Sequence, residues 1–157
     1  MDESRAGKYL TFTLAGEEYG TAILKVKEII GMMPITPVPQ TPGHIKGVIN
    51  LRGKVIPVSD LRLKFGMEAI EYTDRTCIIV VEIEGDYGMV MTGIVVDAVS
   101  EVLSIKDEHI EDPPRFGPAV KTDFIRGIAK GHDNVKILLD IDRVLNTQER
   151  IMLERAA

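Results

Sequence analysis

Short apolar segments rich in β-branched residues recur along this chain, and turn signals end each of them at strand length. Leu10, Phe12 and Leu14 alternate with polar neighbours, which is typical of a half-buried strand. The strongly β-branched run at 76–83 predicts a central strand. The pattern therefore predicts a mostly β protein, with strands at 8–14, 19–23, 45–51, 55–58, 76–83, 87–96, 99–105, 124–129 and 135–141.

One segment, residues 24–30, fits two kinds of secondary structure. Leu24 and Val26 alternate as in a strand, whereas Val26, Ile29 and Ile30 would share one face of a helix. We interpret the segment as a short helix that ends at Gly31.

Helix-capping and helix-breaking residues mark several connections. Asp60 can cap a short helix at 61–65. Asn146, with Glu149 three residues later, has capping-box spacing and predicts a C-terminal helix. Four prolines between residues 34 and 42 exclude regular ladder pairing there, so we expect an extended edge or a surface loop.

Two stretches eighty residues apart resemble each other. Each has an aliphatic-basic-Gly-aliphatic strand, at 45–48 and 125–128, followed by a hairpin and an aliphatic return strand. Each places an aspartate, Asp60 or Asp140, fifteen residues after the first isoleucine, where it can start a helix. Any two hairpins of a β protein can share such a pattern. The alternative is a pseudo-duplicated chain, in which two small barrels pack together and leave a groove for a partner's helix.

Composition restricts the class of function. Apolar residues make up 45 % of the 157 residues, enough for a core without disulfides or metals. A net charge of −5 and the absence of Trp argue against nucleic-acid binding. The single cysteine, Cys77, lies in an apolar run and is expected to be buried. With no signal peptide or membrane-spanning run, we expect a soluble cytoplasmic protein.

The sequence predicts no catalytic residue and no metal site. It has no Gly-x-Ser-x-Gly nucleophile motif, no phosphate loop and no cluster of cysteines and histidines. The histidines are far apart in sequence and fit solvated loops. One enzymatic alternative stays open, a small β-barrel with Asp60, Asp97 or His44 as an unrecognised acid or base.

Four blocks of sequence occur in a defined order: EYGTAILKVKEI at 18–29, TPGHIKGVINLRG at 41–53, VIPVSDLR at 55–62 and GIVVDAVSEVL at 93–103. Together they resemble the CheW domains of bacterial chemotaxis. The resemblance covers essentially the whole chain from Lys8 onward. Four ordered blocks over that length make coincidence an inadequate explanation.

The resemblance implies a fold and a function. The fold would be two five-stranded SH3-like β-barrels around a shared core, with short helices and a C-terminal helix. One domain would span 8–157, with approximate halves 8–75 and 76–145 that could exchange strands. The function would be that of a non-catalytic adaptor without cofactor, monomeric when free. It would couple the cytoplasmic tip of transmembrane chemoreceptors to the regulatory domain of the histidine kinase CheA, or serve a non-flagellar chemosensory pathway.

The resemblance also suggests binding residues. The predicted receptor-binding residues are Val26, Glu28, Ile29, Gly47, Arg52, Val99 and Val102. Val26 and Ile29 fit either the core or a receptor groove that Val99 and Val102 would complete. Arg115 and Phe116, in a loop after two prolines, are predicted to contact the kinase or a neighbour in a ring.

Two of these residues have specific geometric roles to offer. Arg52 lies at a hairpin tip, where its guanidinium could bind a partner or brace the barrel interface. Gly47 would permit close backbone approach at a strand crossing or an interface.

Overall fold

The structure is a computed structural model that describes residues 4–85, 88–115 and 122–145. Its strands are β1 (Gly7–Leu14), β2 (Glu17–Ala22), β3 (Val26–Gly31), β4 (Ile45–Leu51), β5 (Lys54–Asp60), β6 (Cys77–Gly85), β7 (Gly88–Val96), β8 (Ala98–Ile105), β9 (Ile110–Glu111), β10 (Ile125–Lys130) and β11 (Val135–Leu139). Helices α1 (Leu61–Lys64) and α2 (Ile141–Val144) follow β5 and β11, and single 3₁₀ turns occur at Ile23–Lys25 and Asp107–His109. The prediction of a mostly β protein is confirmed.

The strands form two sheets that mix parallel and antiparallel pairs. The first sheet has the order β8-β1-β2-β11-β10-β9, and the second has the order β3-β6-β7-β5-β4. The first has six strands because the two-residue β9 pairs with β10. Within the described residues neither ladder closes into a ring, but the arrangement is consistent with SH3-like architecture. Each sheet takes strands from both sides of residue 76, and the subdomain halves stay a prediction.

The sequence repeat corresponds to a repeat in structure. Ile45 lies opposite Ser59 in the β4–β5 hairpin, and Ile125 lies opposite Leu139 in the β10–β11 hairpin, each pair followed by a register shift at a glycine. The return strands β5 and β11 then pair in parallel with β7 and β2. The two hairpins are therefore equivalent parts of the two sheets, and aspartate N-caps start the helix after each one.

The largest hydrophobic cluster joins the two sheets. Phe12, Leu14 and Tyr19 come from the first sheet, Ile79, Val81 and Ile94 from the second, and Leu61 and Ile141 from the two helices. We call this set and its buried neighbours the central core. Burying one such aliphatic or aromatic side chain contributes about 1.5–3 kcal/mol, so the central core favours close packing of the sheets. Each sheet also has a smaller cluster of its own.

The predicted helix at 24–30 is wrong, because β3 pairs along its length with β6. A β-bulge explains the misleading helical spacing. The register shifts between Val26 and Glu28, so Val26 lies opposite Val81 and Ile29 lies opposite Ile79. Facing residues of an antiparallel pair point to the same side of a sheet. Val26 and Ile29 therefore share a face although they are three residues apart.

The remaining connections agree with the sequence patterns where they are described. Thr36 exchanges two backbone hydrogen bonds of 2.9 Å with Val48, so the proline-rich segment crosses β4 in an extended conformation. Cys77, expected to be buried, is only half-buried, although it packs against the central core. The predicted C-terminal helix and Phe116 lie outside the described residues. No helix of the described part is long and apolar enough to cross a membrane.

Candidate functional site

Edge strand β8 carries the same kind of bulge as β3. Its register with β1 shifts so that Val99 lies opposite Phe12 and Val102 lies opposite Leu10. Phe12 and Leu10 both belong to the central core, so Val99 and Val102 share the face of β8 that points to that side. Val99 packs against the core, whereas 49 % of Val102 is exposed.

The two bulged strands present equivalent apolar pairs. Val99 and Val102 follow Val26 and Ile29 by 73 residues each. In both pairs the first residue packs against the central core and the second is exposed, Ile29 by 42 %. Both strands are sheet edges. The structure therefore places four of the predicted receptor-binding residues at matching positions on the edges of its two sheets.

Glu28 and Arg52 form a second part of the candidate site. Glu28 lies opposite Val80, on the other face of β3 from Ile29. Both terminal nitrogens of Arg52 donate to the Glu28 carboxylate, with 2.9 Å between Nη1 and Oε2. Because β3 and the β4–β5 hairpin lie at opposite ends of the second sheet, this pair joins the sheet's two edges. It borders a cavity of about 330 Å³ with Leu51, Val80 and Met91 on its apolar walls.

Local backbone geometry explains why Arg52 projects from the hairpin tip. Arg52 has a φ of 50° and Gly53 a φ of 88°, the left-handed pair that a tight two-residue hairpin requires. Asn50 Oδ1 accepts a hydrogen bond of 2.8 Å from the Gly53 N–H, which fixes the turn. The Asn-Leu-Arg-Gly sequence thus both forms the turn and directs the Arg52 guanidinium toward Glu28.

The Glu28–Arg52 pair should respond to acid. The hydrogen bond and charge of Arg52 hold the pKa of Glu28 below its ordinary value, and Glu28 raises the pKa of Arg52. A depressed carboxylate pKa stabilises the fold above the unfolded-state pKa, and this stabilisation is lost as the pH falls through the folded-state pKa. We expect a carboxyl ¹³C NMR titration to show the lowered pKa of Glu28. The Arg52→Gln variant should return it toward the ordinary value, and an identical titration in both proteins would contradict the pairing.

Gly47 permits the crossing of the proline-rich segment. A Cβ built on Gly47 would lie 2.0 Å from the Thr36 carbonyl oxygen and 2.9 Å from Pro37 Cα. Its φ of 138° also disfavours other residues. The predicted close backbone approach is confirmed, whereas the assignment of Gly47 to receptor binding stays a prediction.

An apolar groove beside this crossing was not predicted from the sequence. Its walls include Met32, Met33, Ile35 and Tyr72, and its volume is about 400 Å³. Lys46 lies at its side, with Nζ 5.9 Å from the centre of the Tyr72 ring. Two adjacent methionines before a proline were the available signal, because methionine is common at adaptable binding surfaces. We call this feature the methionine groove.

The three candidate acid or base residues all have structural partners. Buried Asp60 accepts hydrogen bonds from the Arg62 N–H and the Tyr72 hydroxyl. Burial, with a further contribution from Asp60, raises the pKa of Tyr72. Asp97 accepts from Arg62 and from the Ala15 N–H, and the His44 carbonyl accepts from the Asp60 N–H. These contacts tie the side chains of Asp60 and Asp97, and the backbone of His44, into the fold.

The predicted kinase or ring contacts are only partly described. Arg115 is exposed beyond β9, and Phe116 lies outside the described residues. Arg115 is not part of the bulged edge strands, the Glu28–Arg52 cavity or the methionine groove. Within the described part of the chain, no three His, Cys, Asp or Glu side chains are arranged to hold a metal ion.

Comparisons with known proteins agree on one family. Residues 8–149 match the family model described as "CheW-like domain". The chain is 39 % identical over 155 residues to the chemotaxis protein CheW of Klebsiella aerogenes, covering 99 % of this chain and 91 % of that protein. It is 34 % identical to CheW of Rhizobium meliloti, covering 94 % and 97 %. The solved structure of the scaffolding protein TtCheW from Thermoanaerobacter tengcongensis superimposes with a TM-score of 0.81 at 39 % identity, covering 94 % of this chain and 98 % of that one.

Proposed function

The chain belongs to the family of CheW-like domains, chemotaxis scaffolding proteins rather than enzymes, and we propose that it couples transmembrane chemoreceptors to the histidine kinase CheA. It would act at the cytoplasmic face of the membrane, within receptor arrays. The observation that carries the proposal is the matched pair of bulged edge strands with exposed apolar side chains. Apolar residues that lie at the edge of a core and are partly exposed are suited to bind the apolar face of a partner helix.

The receptor tip would lie against Val26, Ile29, Val99 and Val102. Val26 and Val99 connect this surface to the central core, so a bound helix would extend an existing hydrophobic cluster. The Glu28–Arg52 pair would lie on the opposite face of β3 and fix the position of that strand. On this proposal Arg52 acts by bracing the sheet's edges.

The regulatory domain of CheA would use a separate surface. The methionine groove is apolar and lies beside the exposed part of Tyr72, which suits an apolar protein contact. Arg115, and with it Phe116, stay predicted contacts to the kinase or to a neighbour in a ring. Two separate surfaces would allow both partners to bind at once, as coupling requires.

The direct test is a binding titration of the purified protein. The probes are a soluble fragment of a chemoreceptor tip and the CheA regulatory domain, used separately and together. Saturable binding to each and a ternary complex are expected. If the folded protein bound neither, the coupling proposal would be wrong.

Ile29→Lys should weaken binding of the receptor fragment roughly tenfold, because it puts a charge into an apolar contact. The fold should persist, since 42 % of Ile29 is already exposed. Isothermal titration calorimetry gives the affinity, and urea unfolding gives the stability. Val135→Lys is the matched control, because Val135 is 49 % exposed on β11, away from both bulged strands. Equal affinities of the two variants would remove Ile29 from the receptor site.

A further inference from the structure

Asp97 connects three parts of the fold at the point where the chain leaves the second sheet for the first. It lies between β7 and β8. Its Oδ2 accepts a hydrogen bond of 2.8 Å from the Ala15 N–H in the β1–β2 turn. The same oxygen lies 2.7 Å from Nη1 of Arg62 on α1, the helix that follows the second sheet's β5. One carboxylate therefore ties the first sheet to a helix of the second.

Asp142 makes an equivalent connection with the roles of the sheets exchanged. It lies on α2, which follows the first sheet's β11. Its Oδ1 accepts a hydrogen bond of 2.9 Å from the Glu84 N–H at the end of β6 in the second sheet. Its Oδ2 lies 2.6 Å from Nζ of Lys25, in the 3₁₀ turn that leads from β2 to β3.

The two ion pairs are related by the internal repeat, with their charges reversed. Arg62 and Asp142 are eighty residues apart, and each is the second residue of the helix that follows a capping aspartate. Lys25 and Asp97 each lie in the connection that leads into a bulged edge strand. The base is on the helix in one pair and on the connection in the other.

The four side chains of the two ion pairs are partly buried. The exposed fractions of the side chains are 12 % and 21 % for Arg62 and Asp97, and 33 % and 25 % for Lys25 and Asp142. Partly buried pairs are screened less by salt than exposed ones. Each carboxylate also accepts a backbone N–H, which fixes its direction.

We propose that these ion pairs are two charge-reversed clamps that hold the sheets in one relative orientation and thereby set the spacing between the apolar pairs on β3 and β8. Lys25 directly precedes Val26, and Asp97 lies two residues before Val99, so each clamp anchors one wall of the receptor surface. The four clamp residues are positioning residues. The link to receptor binding rests on the proposed function, whereas the orientation of the sheets does not.

The orientation is tested by the distance between spin labels, one on each sheet. In a Cys77→Ser background, Lys54→Cys and Lys130→Cys place labels on exposed residues of the two equivalent hairpins. Asp97→Asn with Asp142→Asn should broaden the distance distribution measured by pulsed electron paramagnetic resonance. Glu18→Gln is the matched control, because Glu18 and Lys136 form a 2.9 Å ion pair of similar exposure within the first sheet. A distribution as narrow as the control's would overturn the clamps.

Milder variants cover the case in which the double variant does not fold. Lys25→Gln and Arg62→Gln remove the basic partners and leave both carboxylates on their backbone donors. Arg62→Gln also removes the 2.9 Å hydrogen bond from Arg62 Nε to the Glu68 carbonyl, so Lys25→Gln is the cleaner variant. Lys25→Arg should keep the narrow distribution, since it preserves the ion pair, whereas Lys25→Gln should broaden it. Equal distributions for these two Lys25 variants would count against the second clamp.

Receptor binding tests the functional half of the inference. If loosened sheets adopt the competent orientation about a tenth of the time, the Kd for the receptor fragment rises roughly tenfold. The affinity for the CheA regulatory domain should be unchanged, which a general loss of structure would not allow. If the distance distribution broadened but the receptor affinity did not change, the clamps would have no role in receptor binding. If Ile29→Lys bound the receptor fragment with normal affinity, the proposed receptor surface would be wrong. The clamps would then be judged by the spin-label distances alone.

Discussion

Replacing Gly47 with alanine should destabilise the protein by about 3 kcal/mol or more, among the largest effects expected of one added methyl group. The new Cβ would meet the Thr36 carbonyl oxygen at 2.0 Å, and a backbone atom cannot move aside as a flexible side chain can. Relief requires the proline-rich segment to move off β4, with loss of its two hydrogen bonds to Val48. Urea unfolding of the purified variant measures the loss.

The Gly53→Ala variant is the control that distinguishes the steric clash at Gly47 from the strain of a positive φ. Gly53 also has a positive φ, of 88°, but a Cβ there would meet nothing within 4 Å. Its substitution should cost only the strain of the left-handed conformation, about 1–2 kcal/mol. If Gly47→Ala and Gly53→Ala lowered the free energy of unfolding equally, the proline-rich segment would move aside at little cost. The structural role assigned to Gly47 would then be wrong.

The Gly47 result bears on how a binding defect is interpreted. Gly47 belongs to the predicted receptor-binding set, yet its backbone conformation and neighbours give it a structural role. Weaker receptor binding by a Gly47 variant is evidence for contact only when the affinity is corrected for the folded fraction. Ile29, exposed and away from this crossing, is the cleaner probe of the surface.

The strands and hairpins could be predicted because their signals are local. The hairpins that start at Ile45 and Ile125 carry glycine turns, β-branched strands and capping aspartates at the same spacing, and they fold with the same register. What the sequence did not indicate is how the hairpins combine. The parallel pairing of β5 with β7 and of β11 with β2 depends on contacts between distant segments, which no local pattern encodes.

The error at 24–30 has a physical cause. Spacing of three residues between apolar side chains is the usual sign of a helix. A bulge produces the same spacing in a strand, because the extra residue restores the next side chain to the original face. The same bulge recurs at Val99 and Val102, where neighbouring strand signals gave the correct prediction.

The candidate site could be predicted only in part from the sequence. Family motifs indicated Glu28 and Arg52 as separate contacts, but their ion pair joins residues 24 positions apart and follows from the sheet order. The clamps of Asp97 and Asp142 depend on neighbours still more distant along the chain. No local pattern indicates these partners, because they lie on strands and connections far away in sequence.

Asp60→Ala should destabilise the protein by about 3 kcal/mol, because two different hydrogen bonds, both partly buried, end at one carboxylate. Asp60 is 2 % exposed, and it caps α1 through a 3.0 Å bond from the Arg62 N–H. Its other oxygen accepts from the Tyr72 hydroxyl at 2.9 Å. Chemical denaturation gives the loss directly. Tyr72→Phe should cost much less in the Asp60→Ala background than in the native protein, because the hydroxyl has then already lost its acceptor.

The internal repeat supplies the control for this prediction. Asp140 is the equivalent N-cap eighty residues later, but it is only half-buried and accepts from the Arg143 N–H at 3.4 Å. Asp140→Ala should therefore cost about 1 kcal/mol, the ordinary value of an N-cap. A larger loss at Asp60 is expected both from its greater burial and from its second hydrogen bond, to Tyr72, and the Tyr72→Phe comparison isolates the contribution of that bond. Losses of equal size for Asp60→Ala and Asp140→Ala would contradict the prediction that burial and the Tyr72 bond make Asp60 the stronger anchor.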